Sequence, residues 1–309
     1  METGNIAIKT HNLTRQFGNR IAVNNLNIEI QKGEIFSLLG TNGTGKTTTI
    51  KMLCCLLKPT SGNAIIKDYS VTEDSLKIKG IIGVSPQETA IAGHLNSKEN
   101  LLLMGGVSGL SKGQSKSRAK DLMDLLEIED RKDQARRLSG GLQRRLNIAM
   151  ALMSDPQILF LDEPTLGLDP HARKSVWSYI EKLKKEKTIL LTTHYLEEAD
   201  ALADTIAIMD KGNIIETGTS SGLKKKYTHT QILKVSGENI NKKIIETLNK
   251  NGLEAHTIPN GMEIKSQHFD FYSIVDILRQ NDVKISGLQL KEPTLDEVFL
   301  HLTGKEATK

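Results

Sequence analysis

The 309-residue sequence predicts an α/β fold in which a mostly parallel sheet is covered by helices and followed by a small C-terminal α+β domain. Three observations predict it. Four short runs, EIFSLLG (34–40), IIGVSPQ (81–87), ILFLDE (158–163) and TILLTTH (188–194), are continuously apolar rather than alternating, the pattern of strands buried on both faces, and each stops at polar residues. A glycine-rich stretch, GTNGTGKTTT (40–49), joins the first run to a helix. Residues 228–304 read as β, α, two strands, α, β and a final helix, the order of a ferredoxin-like unit. In open α/β sheets ligands bind beyond the carboxyl ends of the strands, so all four polar endings are expected along one edge.

Bulk properties narrow the classes. Lys+Arg of 41 against Asp+Glu of 37 leaves +4, too mild an excess for a nucleic-acid binder or a membrane-coating surface, so no nucleic-acid partner is expected. The basic runs at 112–120, 182–187 and 224–226 read as solvated faces. METGNIAIKT lacks the basic and apolar regions of a signal peptide, and apolar runs such as 52–57 and 148–153 are far below the roughly 18 residues a spanning helix needs. The two cysteines, Cys54 and Cys55, are adjacent in a predicted helix, poorly placed for a structural disulfide and ordinary for thiols in a reducing compartment. A cytosolic protein fits.

The strand endings carry the chemistry. Residues 40–47 satisfy G-x-x-x-x-G-K-[ST] between a strand and a helix: Gly40, Gly43 and Gly45 let the backbone wrap phosphates together with Thr41, Asn42, Thr44 and Thr48, Lys46 reaches the β/γ-phosphates, and Thr47 holds Mg²⁺. The third ending supplies Asp162, a carboxylate at the end of a buried strand for which Mg²⁺ is the natural partner, and Glu163, free to polarise a water for attack on the γ-phosphate. Gln87 ends the second strand, an amide suited to a Mg²⁺-bound or attacking water, and His194 ends the fourth, suited to the γ-phosphate. Ser139, Gly140 and Gly141 precede a helix predicted from Leu142, Leu146, Ala149 and Met153, a start that caps the helix and favours an anion. The last helix has Thr294 at its cap and Glu297 three residues on.

These motifs, in this order, resemble the nucleotide-binding subunit of ATP-binding cassette (ABC) transporters over about residues 5–222. The phosphate loop at 40–47, Gln87 as the Q-loop residue, LSGGLQ (138–143) as the signature, ILFLDE (158–163), GLD (167–169) as the D-loop and His194 as the switch histidine carry the resemblance. It implies a P-loop NTPase cassette with antiparallel β and helical subdomains at 1–225, the helical part near 88–150, and an accessory α+β domain at 228–309. It implies ATP and Mg²⁺ as ligands, with Glu163, His194 and Gln87 catalytic and Thr47, Gln87 and Asp162 on the metal. Two ATPase subunits, identical or not, would pair head to tail, so that Ser139, Gly140, Gly141, Gln143 and the D-loop Asp169 act on ATP held by the partner's phosphate loop. Phe17 stands where the family usually stacks a tyrosine on adenine; phenylalanine keeps the face and loses the hydroxyl. Separate transmembrane permease subunits, with this chain peripheral on the cytoplasmic face of the membrane, complete the expectation. The tail, with HYLEEADALADTIAIMDKGNIIETG and EPTLDEVFLHLTG, is similar to the drug- and antibiotic-exporter branch related to daunorubicin-resistance ATPases.

A soluble ABC ATPase acting on DNA or ribosomes is the rival. DNA-repair members insert a long coiled coil between phosphate loop and signature, but Lys46 and Ser139 are 139 − 46 = 93 positions apart. Ribosome-acting members usually carry two cassettes, and this chain carries one. A GTPase would need N/T-K-x-D, which is absent. The resemblance leaves substrate choice to the membrane partner.

Overall fold

The computed structural model of the protein describes residues 5–184, 186–227, 231–266, 269–291 and 294–304. Their contacts divide into two units, one within residues 1–220 and one within 221–305. The division falls ahead of residue 225 because the helix at Ser220–Tyr227, from Ser221 onward, goes with the second unit.

The first unit opens with β1 (Ile6–Phe17), β2 (Arg20–Leu26), β3 (Glu29–Gln31) and β4 (Ile35–Leu39), then α1 (Lys46–Leu53), β5 (Ser61–Ile66), β6 (Tyr69–Ser70), α2 (Ser75–Lys79) and β7 (Ile82–Ser85). A helical stretch follows, α3 (Ser97–Val107), α4 (Lys112–Leu125) and α5 (Gly140–Leu152). The unit closes with β8 (Ile158–Asp162), α6 (Pro170–Leu183), β9 (Thr188–Thr193), α7 (Leu196–Leu202), β10 (Thr205–Asp210) and β11 (Asn213–Gly218).

Two sheets result. The antiparallel one runs β2-β1-β5-β6, with β3 also on β1. The other runs β11-β10-β4-β9-β8-β7, parallel except for β11. Every residue of β4, β8 and β9 is buried, which is why these strands read as unbroken apolar runs. One apolar cluster joins Ile35, Leu159, Leu161, Ile189 and Leu191 to the helices α3 to α6; a second joins Phe36, Leu38, Phe160 and Leu190 to α1 and the antiparallel sheet. The parallel sheet is therefore sandwiched, one face to each cluster.

Two local expectations change. Helix α1 ends at Leu53, so Cys54 is its cap and Cys55, at φ 55°, already lies in the following turn rather than in the helix. Burial pushes the Cys54 thiol well up, so it stays protonated. Helix α5 keeps Leu146, Ala149 and Met153 buried, as its spacing predicts, but it also buries Arg144 and Asn147. It is not amphipathic in the simple sense because its polar face has partners of its own, described below.

The second unit holds α8 (Ser220–Tyr227), β12 (Gln231–Glu238), α9 (Lys242–Lys250), β13 (Glu254–Ile258), β14 (Gly261–Ser266), α10 (Phe271–Gln280), β15 (Lys284–Lys291) and α11 (Leu295–Thr303). From β12 to β15 the order is βαββαβ, and the antiparallel sheet runs β13-β14-β12-β15. Ile244 and Leu248 of α9 and Ile274 and Leu278 of α10 pack with Leu233, Val235, Met262 and Ile264 to make its core. The Thr294 amide at the start of α11 donates to the Glu297 carboxylate at 3.5 Å.

Candidate functional site: a phosphate loop at the sheet edge

The strand ends meet because the register aligns them: Leu39 pairs with Thr193, Thr192 with Asp162, and Leu161 with Ser85. One residue further on, the chain delivers Gly40, His194 and Glu163 to the same edge, and two beyond Ser85 it delivers Gln87.

The loop before α1 needs its glycines for space. A Cβ on Gly40 would sit 2.4 Å from the Met209 carbonyl oxygen, and on Gly45, at φ +111°, 2.3 Å from that of Ala22. The Thr44 hydroxyl donates to the Thr41 carbonyl at 2.9 Å and ties the loop to itself. Lys46, buried to 5% exposure, donates to the Gly40 and Thr41 carbonyls at 2.7 and 3.1 Å. Its ammonium is 3.2 Å from Glu163 Oε1. The other carboxylate oxygen, Oε2, is 2.6 Å from His194 Nδ1. Glu163 takes φ 51°, in the left-handed region that a non-glycine residue rarely adopts, and its amide donates to the carbonyl and hydroxyl oxygens of Thr192, both at 3.1 Å. The strained turn aims the carboxylate between Lys46 and His194.

Asp162 is buried to 3% exposure and accepts at Oδ1 from the hydroxyls of Thr47 (3.1 Å) and Thr192 (2.6 Å). Among the described residues no cation pairs with it. A buried carboxylate facing only hydroxyls is costly, and a hard cation with oxygen ligands fits it.

A cavity of 470 Å³ lies over these groups, lined by Phe17, Arg20, Asn42, Gly43, Gly45, Lys46, Thr47, Thr48, Gln87 and Glu163, among others. Phe17 is 45% exposed, and the Arg15 guanidinium stands 4.5 Å from its ring centre. A flat ring face at the rim of a phosphate loop suits a base.

Asp162 and His194 do not line that cavity themselves but bond to Thr47 and Glu163, which do; the signature and D-loop candidates have other partners. Ser139 and Gly140 are exposed, and the Ser139 hydroxyl accepts from the Leu142 amide at 3.4 Å, the expected cap. The Gln143 amide is turned back onto the Leu138 and Arg136 carbonyls at 3.1 and 3.4 Å. Asp169 caps α6 by accepting from the His171 and Ala172 amides, both at 3.0 Å, and the Ala172 amide foremost holds its carboxyl below the usual range. None of Ser139, Gly140, Gly141, Gln143 or Asp169 lines the cavity.

Several residues escaped the sequence reading. Arg144 donates to the Pro86 and Gln87 carbonyls, both at 3.0 Å, and Asn147 donates to the Ser85 hydroxyl at 2.9 Å and accepts from the Ala90 amide at 3.3 Å. Helix α5, which starts at the signature, thus grips the loop of Gln87 at both ends. The sequence offered no clear signal for Arg144 and Asn147, because Gln143 and Arg145 stand beside them on the same helix and all four read as one polar face. Thr192 had none, since it reads as one more β-branched strand residue. Tyr195 stacks 4.2 Å from His194 and carries the Arg173 guanidinium 3.9 Å from its own ring centre.

Known proteins are similar to this chain in sequence and in fold. The ABC transporter family model matches residues 23–166. The linearmycin resistance ATP-binding protein LnrL of Bacillus subtilis (strain 168) is 33% identical over 306 residues, 96% of this chain and 98% of its own length. The daunorubicin/doxorubicin resistance ATP-binding protein DrrA of Streptomyces peucetius is 34% identical over 309 residues, 97% of this chain and 93% of its own. Among solved structures, a dimeric post-hydrolysis state of the ATP-binding cassette MJ0796 bound to ADP and Pi superposes with a TM-score of 0.63 at 28% identity, covering 69% of this chain and 98% of that one. The family model, nearly full-length relatives at a third identity and the shared fold agree: the chain belongs to the ABC transporter family, as an ATP-binding and ATP-hydrolysing subunit.

Proposed function

We propose that this chain energises the efflux of an antibiotic-like small molecule, working as one of a pair of cassettes bound to separate transmembrane permease subunits at the cytoplasmic face of the membrane. The observation that carries the paired arrangement is that Asp162 and His194 bond to Thr47 and Glu163 of the cavity lining, whereas Ser139, Gln143 and Asp169 bond only to the backbone around their own helix starts and line no part of it. Residues that recognise anions but do not face their own phosphate loop are suited to a neighbour's. No helix among the described residues is long and apolar enough to cross a membrane, so the pathway is assigned to other chains. Resistance ATP-binding proteins matching through the second unit favour export over a role on DNA or ribosomes.

In this reading the phosphates enter the loop of Gly40, Thr41, Asn42, Gly43, Thr44, Gly45 and Thr48, whose amides wrap them, and take over the Lys46 ammonium from the Gly40 and Thr41 carbonyls. Phe17 stacks on the adenine. Thr47, Asp162 and Gln87 would hold Mg²⁺, which would offset negative charge on the phosphates. Glu163 accepts a proton from the water whose oxygen bonds to the γ-phosphorus as the bond from that phosphorus to the β–γ bridging oxygen breaks, leaving ADP and inorganic phosphate. His194, on Glu163 Oε2, orients that carboxylate and leaves Nε2 for the γ-phosphate. Ser139, Gly140, Gly141 and Gln143, with Asp169, close over the same nucleotide from the partner, and closure is a population shift driven by ATP's preference for the paired state.

Mixing tests it. Lys46→Ala chains and Ser139→Arg chains are each expected to be inactive alone and to regain activity together, because some mixed pairs hold one intact composite site. A mixture no more active than either variant overturns the shared site. Recovery of the chain with ribosomes or DNA rather than with permease subunits in detergent extracts overturns the transport role.

A further inference from the structure

Glu198 is a buried carboxylate that the reaction outlined above does not use. It is 0% exposed, in the first turn of α7, four residues after His194. Its Oε1 accepts from the Thr165 hydroxyl at 2.7 Å and from the Trp177 indole N–H at 3.0 Å. Thr165 stands two residues after Glu163, in the turn that leads to Asp169, and Trp177 lies on α6, the helix Asp169 caps. One oxygen atom therefore joins the segment after the base, the helix behind the D-loop, and the helix behind the switch histidine. Burial pushes its carboxyl up, so this group costs the fold stability rather than supplying it.

We infer that Glu198 is a positioning residue for ATP hydrolysis: through Thr165 and Trp177 it fixes the turn after Glu163 against the helix after His194, and so holds the Glu163–His194 contact in register. The inference rests on the roles given to Glu163 and His194, which their own substitutions test separately. Both of these bonds end on Oε1, and the Thr193 side chain also bears on the carboxyl; an amide with its oxygen in the Oε1 place preserves the two bonds, whereas Ala removes both. Thr165→Val deletes one donor and leaves Glu198 in place.

Trp177 is the sole tryptophan, and its emission reports directly on the bond to Glu198. The test measures kcat, KM for ATP, binding of a fluorescent ATP analogue, and tryptophan emission in the full chain. In Glu198→Ala the emission maximum shifts and kcat is expected to fall about tenfold or more, as small misplacements at a reacting centre do, with KM and analogue binding within about twofold of wild type. Glu198→Gln is expected to restore emission and most of kcat. Thr165→Val is expected to lower kcat, and Thr165→Val with Glu198→Ala to be no worse than Glu198→Ala alone, since both act through one bond. Three results overturn the inference: kcat within twofold of wild type in Glu198→Ala with shifted emission; kcat unchanged in Thr165→Val where Glu198→Ala does not fold; or parallel loss of kcat and analogue binding that Gln does not rescue, the mark of a packing role. Loss of turnover in Glu198→Ala while Glu163→Gln turns over normally sinks the assigned base and leaves the Glu198 contacts to be judged by emission and rescue alone.

Discussion

Replacing Glu163 with Gln separates holding ATP from breaking it. The amide has the carboxylate's shape but does not accept a water's proton, and removing a general base ordinarily costs about 10²–10⁴ in rate. At about 1.36 kcal/mol per tenfold, that is about 2.7–5.4 kcal/mol added to the barrier. The geometry says why binding survives. Lys46 loses its 3.2 Å partner at Oε1 but keeps the Gly40 and Thr41 carbonyls at 2.7 and 3.1 Å, so the loop keeps its shape. Its ammonium, freed of a buried counter-charge, meets the phosphates unopposed. The ligand-free variant is expected to be less stable by about 1–3 kcal/mol, the cost of taking the counter-charge from a buried ammonium that keeps only its two carbonyl acceptors, and ATP is expected to recover that loss by supplying negative charge. Steady-state ATPase assays, ATP binding by calorimetry, and thermal unfolding with and without ATP read all three quantities. Turnover near the wild-type rate, or turnover and binding lost together, would falsify the role given to Glu163.

Three further outcomes follow from the same geometry. Gly45→Ala combines strain at φ +111° with contact at 2.3 Å, about 1–3 kcal/mol for each, whereas Gly43→Ala, at φ +81° with nothing nearer than 3.7 Å, costs only the strain, about 1–2 kcal/mol; urea unfolding should rank them so, and equal losses contradict the account of the loop. Arg144→Met removes both donors to the Pro86 and Gln87 carbonyls and should lower kcat about tenfold while the Lys46 loop still binds ATP analogue normally, checked by paired kinetics and binding. The raised carboxyl of Glu198 means that the folded chain holds a proton that the unfolded chain releases near pH 4.3. The contribution of Glu198 to stability then falls as pH rises from there to the raised value and is flat beyond. Glu198→Gln lacks that loss, so its advantage should grow across the same window in urea titrations from pH 4 to 8 and vanish below it; an advantage independent of pH refutes the assignment.

The sheet edge was legible because two-sided burial writes strands as unbroken apolar runs, and β4, β8 and β9 ended within a residue of the expected polar groups. The glycines of the phosphate loop were legible because their spacing answers a backbone requirement. What escaped was long-range and polar. Arg144 and Asn147 look like the solvated face of a helix until the loop at 85–90 is folded onto them, and Glu198 looks like one more acid at a helix start until Thr165 and Trp177, 33 and 21 residues away, arrive at its Oε1. Cys55 was misplaced because the end of α1 is set by a backbone turn at φ 55° that no residue type there announces.

The grip of α5 on the loop of Gln87 also bears on how a pair of such cassettes counts nucleotides. In the head-to-tail pairing proposed above, the same rigid rod touches its own nucleotide through Gln87 and the neighbour's through Ser139. A rod cannot obey one end and ignore the other. In that pairing each subunit would behave as a two-input gate, and a pair holding one ATP would fire more slowly than a pair holding two. Cooperativity in ATP would then originate in the stiffness of one thirteen-residue helix, and loosening its hold on the loop should flatten a sigmoidal ATP response toward a hyperbola without altering either nucleotide pocket.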